Sequence, residues 1–179
     1  MASISMSDIY CNGTIFENDD EQLIYLTPSF PQRYTSNTWI YKKTPTQERW
    51  LKDLERQHQL HTNQGSNHYA FSFPENEQLD NHWMAMFKDM NFELGIMELY
   101  AIESENYIEL DGFGVLEQFR HQGIGSTIQS LIGEYAISKN HKPIILVTDG
   151  EDTAKDMYAK QGYVYQSFCY QILKEDIGN

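Results

Sequence analysis

Basic residues are scarce in this chain. Its 179 residues include 13 Lys and Arg against 26 Asp and Glu, giving a formal net charge of −13 and a pI near 4.7. Proteins that hold nucleic acid neutralise phosphates with basic patches, so this balance argues against a nucleic-acid partner and none is expected. It also argues against an anionic membrane surface, which attracts polybasic segments. Long hydrophobic runs are missing: no stretch approaches the roughly 18 apolar residues of a membrane span. Met1 to Tyr10 hold neither a basic n-region nor an apolar h-region, so no secretory signal is expected and the expected compartment is the cytoplasm. Cysteine is limited to Cys11 and Cys169, too few for a disulfide framework, and neither stands beside a His in a nucleophile pattern. His58 and His61 would share a helix face, but no carboxylate or cysteine completes a ligand set with them. No metal site is expected.

What is present suits a packed globular chain. Hydrophobic residues make up 40% and aromatics 13%, with 12 Tyr, enough to fill a core and to line a pocket. An acidic surface steers cationic ligands; its other use is solubility. No low-complexity tract or linker interrupts residues 1–179, so a single domain is expected.

Periodicity supplies the elements. Residues 1–21 read as an arm or peripheral strand, 22–27 and 38–42 as strands, and 28–37 as a loop with two prolines. Thr44-Pro45-Thr46-Gln47 predicts a helix start with Thr44 at the cap and Pro45 in the first turn. That helix would carry Trp50, Leu51, Leu54 and His58 at helical spacing and end at Gly65. Trp50 and Trp83 are expected in the core; Trp39 could instead join a site for a cationic amine. A strand over 68–73, a helix over 79–90 and strands over 92–102 and 107–116 follow. Met86-Phe87 and Phe92 echo Met157-Tyr158 and Tyr163 in spacing. A degenerate internal repeat and a chance match of two amphipathic helices both account for the echo.

The most telling stretch runs from Val115 through Leu116, Glu117, Arg120, His121, Gln122, Gly123, Ile124 and Gly125 to Ser126. It reads as a strand entering a glycine-bearing loop that opens a helix with Ile128, Leu131, Ile132, Tyr135 and Ala136 on one stripe. Backbone N–H groups at a helix start have no intrahelical partner, and the helix dipole adds positive charge there. Such a loop binds anions. It is not a Walker loop, which needs a Lys before its Ser/Thr, and Ile128 breaks a dinucleotide fingerprint.

Arg120-His121-Gln122-Gly123-Ile124-Gly125 and the later Ala154, Tyr158, Gly162-Tyr163 pattern resemble the two signatures of the GNAT superfamily of N-acetyltransferases. The resemblance covers residues 107–172. It implies an α/β fold: a mostly antiparallel sheet, one splayed parallel strand pair and helices on both faces. It implies acetyl transfer from acetyl-CoA to an amine; the acidic composition adds the expectation that the acceptor is the primary amine of a small, cationic molecule. Residues 107–172 would bind the cofactor and 1–106 would shape the acceptor site. By resemblance, backbone N–H groups from His121 to Ser126 hold the pyrophosphate and Arg120 adds charge. Val115 meets the thioester oxygen, and Leu116 and Glu117 line the pantetheine arm.

Tyr158 would be the general acid for the departing thiolate, with the small Ala154 one turn earlier leaving room for the cofactor. Glu109 is the candidate base, at a position where some members carry a catalytic carboxylate; Asp111 shares its face. Glu98 and Tyr100 are further candidates for the acceptor pocket. One departure is Glu151, where many members carry an Asn that contacts the cofactor. Glu151 and Asp152 are better read as capping a helix that begins near Thr153. Two rival functions keep the same fold: a non-catalytic acyl-CoA sensor and a protein or peptide N-acetyltransferase. Members often form dimers, so a homodimer is the assembly that the resemblance suggests.

Overall fold

The computed structural model describes residues 4–9, 11–101, 108–110, 115–138, 144–151 and 154–175, without the side chains of 108, 109 and 137. The chain divides into two compact units. One contains Met1–Ile9 and Met97–Ser167; the other contains Tyr10–Ile96 and Phe168–Asn179.

In the second of these units, β1 (Ile15–Asn18), β2 (Gln22–Tyr25) and β3 (Trp39–Tyr41) form an antiparallel meander. Helix α1 (Gln47–Gln64) then crosses over to β4 (His68–Ser72), which lies parallel to β3, with Trp39 opposite Phe71. This parallel pair adds to the one expected from the sequence. The end of β8 (Val164–Glu175) pairs antiparallel with β4, from His68 opposite Glu175 to Ser72 opposite Gln171. Trp50 is the hub of the core. Its ring meets those of Phe71, Trp83, Phe87 and Phe92 at centroid distances of 5.4–5.9 Å. Trp39 is fully buried under the Arg56 guanidinium, so it belongs to this core and not to an exposed amine site.

Helix α1 departs from its expected form in two ways. Its cap is Thr46, whose hydroxyl accepts from the Arg49 N–H; Thr44 instead donates to the Glu77 carboxylate. Its buried stripe is polar, made of Trp50, Asp53, Gln57 and His61, while Leu51 faces solvent. The stripe is tolerated because most of its polar groups have partners, although the buried Trp50 Nε1–H and His61 Nε2 have none among the described residues. Asp53 takes the Tyr41 hydroxyl and the Arg49 Nε–H, Gln57 bonds both backbone groups of Ala70, and His61 Nδ1–H donates to the His68 carbonyl at 2.7 Å.

In the other unit, β7 (Ile144–Asp149) is flanked on both edges. The later part of β5 (Glu93–Ala101) runs antiparallel to it, with Glu98 opposite Thr148, and β6 (Ile108–Glu109) runs parallel. This is the parallel pair expected between the strand before the glycine loop and 144–148. Helix α3 (Ile124–Ser138) connects β6 to β7, and α4 (Ala154–Lys160) follows β7. Tyr100, Ala136, Ile144, Leu146, Tyr158 and Tyr163 form the core. The inward side of α3 is Ile128, Gln129, Ile132 and Ala136; Leu131 and Tyr135, expected on the buried stripe, are more than half exposed.

The echoed segments close their helices alike. After α2 (Asn81–Asp89), Phe92 N–H donates to the Phe87 carbonyl and Asn91 takes φ of 57°. After α4, Tyr163 N–H donates to the Tyr158 carbonyl and Gly162 takes φ of 89°. Both are left-handed closures that satisfy a terminal carbonyl, with the two aromatic rings in contact.

Burial holds His61 neutral, lowering its pKa from 6.5 to about 4, and lowers that of His68 as well. Between these values the unfolded chain binds a proton that folded His61 does not. Stability is therefore full above pH 6.5 and falls as the pH drops toward 4, by about 3 kcal/mol for this residue. Urea titrations across that range should show His61→Phe less stable by about 1 kcal/mol at pH 7, through its lost hydrogen bond, but with a shallower acid dependence. An unchanged slope would show that His61 is not what acid protonates.

Candidate functional site

The loop into α3 folds through short-range bonds. Phe119 N–H donates to the Leu116 carbonyl at 2.8 Å, and Arg120 N–H to that of Glu117 at 3.0 Å. The Arg120 Nε–H closes back on the Val115 carbonyl at 3.1 Å. The chain then turns through two left-handed residues, His121 with φ of 60° and Gly123 with φ of 77°. Thr127 N–H and its hydroxyl both satisfy the Gly123 carbonyl, which starts the helix. Among the described residues, the N–H groups from His121 to Ser126 have no acceptor. That leaves an unpaired donor array at the positive end of a helix.

The array borders an open cavity of about 600 Å³, walled by the loop on one side and α4 on the other. Of the loop residues singled out from the sequence, Val115, Arg120, His121, Gly123, Ile124, Gly125 and Ser126 line it. Leu116, Glu117 and Gln122 are exposed and off its wall; Glu117 belongs to a tight turn over Glu117–Phe119, so neither it nor Leu116 continues a strand. Phe119, Asp156, Met157, Lys160 and Gln161 also line the cavity and were not anticipated. For Met157 and Gln161 the signal was helical spacing from Ala154; Phe119, Asp156 and Lys160 gave none. A Cβ on Gly125 would stand 3.3 Å from the Met157 sulfur, so loop and helix touch there with little room to spare.

Tyr158 is buried and lines the cavity, as does Ala154. Its ring lies 5.8 Å from that of Tyr163 and 6.4 Å from that of Tyr100. Burial, then the charge of Tyr158, pushes Tyr163 up to about 12, and its hydroxyl donates to buried Gln129. Tyr100 is also pushed up to about 12, first by burial and then by the Glu98 carboxylate that takes its hydroxyl at 2.8 Å. Both phenols stay protonated at neutral pH.

Glu109 contributes its backbone to β6, and its side chain lies outside the described residues, as do Asp111 and the Asp152-Thr153 cap. Glu151 donates its N–H to the Asp149 carboxylate. Among the described residues no three His, Cys, Asp or Glu gather as metal ligands, and no helix is long and apolar enough to cross a membrane. Cys11 and Cys169 are free thiols, and burial pushes Cys169 up to about 12, away from reactive thiolate.

Comparison with known proteins gives a family and a fold. A family model described as "Domain of unknown function (DUF5613)" matches residues 4–100, so the glycine loop lies beyond it. A functionally unknown conserved protein from Staphylococcus epidermidis ATCC 12228 is 37% identical, over 97% of this chain and 98% of that one, with a TM-score of 0.87. A GCN5-related N-acetyltransferase from Sphaerobacter thermophilus superposes over 87% of this chain and 81% of its own, with a TM-score of 0.53 at 9% identity. That likeness shows a GNAT-like fold. No curated protein matches the chain.

The left-handed turn at Gly123 makes a test of the loop. A Cβ there meets no atom within 4 Å, so backbone strain alone would act. Gly123→Ala should lower stability by about 1 kcal/mol in urea denaturation. A neutral result would mean that the turn relaxes at no cost.

Proposed function

The chain belongs to the DUF5613 family, and on that footing we propose that it moves an acetyl group from acetyl-CoA to the primary amine of a small molecule. The observation that carries this reading is the unpaired N–H array from His121 to Ser126 at the edge of a cavity that Tyr158 also lines. A GNAT-like fold is consistent with it.

In this reading the array holds the pyrophosphate. The Arg120 side chain, tethered through its Nε–H to the loop, turns the rest of its guanidinium to the cavity as added positive charge. Val115 stands where the thioester would lie. The amine nitrogen attacks the thioester carbonyl, a C–N bond forms and the C–S bond breaks. Tyr158 gives its proton to the departing thiolate, which a phenol can do only at close range. The amine's proton leaves to a carboxylate, for which Glu109 is the candidate, or through water. Homodimer formation belongs to the same proposal.

Thiol release from acetyl-CoA over a panel of primary amines tests the reading. One amine class should be turned over, and Tyr158→Phe should cut kcat about 100-fold with acetyl-CoA affinity within about twofold of wild type. Full turnover in that variant would remove Tyr158 from the chemistry. Acetyl-CoA binding without turnover of any amine would favour the silent sensor; acetylation of a peptide amine alone would favour the protein-modifying reading.

A further inference from the structure

Glu98 is a half-buried carboxylate with no cationic partner among the described residues. One oxygen, Oε2, accepts the Tyr100 hydroxyl at 2.8 Å. The other, Oε1, accepts no hydrogen bond among the described residues. It is held against the Gly150 backbone: a Cβ built on Gly150 would stand 3.1 Å from Glu98 Cγ, Cδ and Oε1. The Lys155 ammonium, at the start of α4, donates to the Gly150 carbonyl. A carboxylate taken partly out of water is ordinarily matched by a cation or by a full set of donors. Among the described residues Glu98 has one donor, and its second oxygen packs against Gly150.

Its surroundings are those of a cation site. The Tyr100 ring meets Tyr165 edge-on at 5.8 Å and Tyr158 at 6.4 Å. Asp156, on the cavity wall, is close enough for its charge to act on Tyr100. Tyr100 thus joins Glu98 to two residues of the cavity, Tyr158 and Asp156. Aromatic faces beside a carboxylate favour an ammonium through charge and cation–π attraction together. We infer that Glu98 anchors the ammonium of the acceptor amine, with Tyr100 and Tyr165 as its aromatic walls and Gly150 as the position that leaves the carboxylate room. This rests on the acetyl-transfer reading and names the acceptor's charge: the molecule enters as a cation, held through that charge at Oε1.

Calorimetry on the full chain tests it, with 1,5-diaminopentane as the cationic probe, 1-pentanol as the neutral one, and acetyl-CoA titrated separately. Wild type should bind the diamine and not the alcohol. Glu98→Gln keeps a carbonyl for the Tyr100 hydroxyl, so it should fold like wild type by circular dichroism. It should bind the diamine at least about tenfold more weakly with acetyl-CoA affinity unchanged. Gly150→Ala, which displaces the carboxylate, should weaken diamine binding in the same direction. Equal diamine binding by wild type and Glu98→Gln would overturn the inference, as would alcohol bound as well as the diamine, or no diamine binding to wild type at about 10 mM. Glu98-dependent diamine binding in a protein that ignores acetyl-CoA would keep the cation site and discard acetyl transfer.

Discussion

The segment from Val115 to Ile124 is held by a handful of local bonds, and the character of the site depends on them. Two tight-turn bonds and the tether from Arg120 to the Val115 carbonyl use up the acceptors that the following N–H groups could otherwise have reached. The left-handed residues His121 and Gly123 then turn the chain into the helix. The α3 dipole adds to them because Thr127 closes on Gly123 and begins the helix there. Without the turn the same residues would be an ordinary loop with scattered donors.

The two units solve the burial problem differently. The core around Trp50 is aromatic, and α1 covers it with polar side chains whose partners come mostly from neighbouring strands: Asp53 with Tyr41 as well as Arg49, Gln57 with Ala70. The core around Tyr158 is built from tyrosines, whose hydroxyls need partners at its edge. Tyr100 finds Glu98 and Tyr163 finds Gln129. A tyrosine core places protons beside a cavity, which a phenylalanine core could not do.

Much of this was legible in the sequence where local chemistry decides the outcome. The helix after Gly123-Ile124-Gly125, the strand over Ile144–Asp149 and the burial of Trp50 and Trp83 follow from spacing and turn residues. The α1 stripe was not legible, because Asp53, Gln57 and His61 read as polar until their distant partners are known. The exposure of Leu131 and Tyr135 has the same origin: periodicity finds an apolar face but not whether anything covers it. The cavity wall contributed by α4 was half visible, through Ala154 and Tyr158. Gly150 gave no signal at all, since its importance lies in a side chain on another strand. The matching closures after α2 and α4 lend the internal echo a physical content, for they use the same bond between aromatic residues at the same separation.

Arg120 and Lys160, with Asp156 beside them, give the cavity a small basic border on a chain of net charge −13. The two fields act over different distances. At low salt an approaching anion is repelled at long range by the whole molecule and meets the basic border only at close range, whereas in physiological salt charges farther apart than about one Debye length, roughly 8 Å, are largely screened. Added salt screens the distant repulsion more than the close attraction, so association of an anion should quicken over moderate ionic strengths before it slows. A cation experiences the reverse, drawn from afar and retarded by salt. Ionic strength therefore acts on this surface as a selector between ligands of opposite sign.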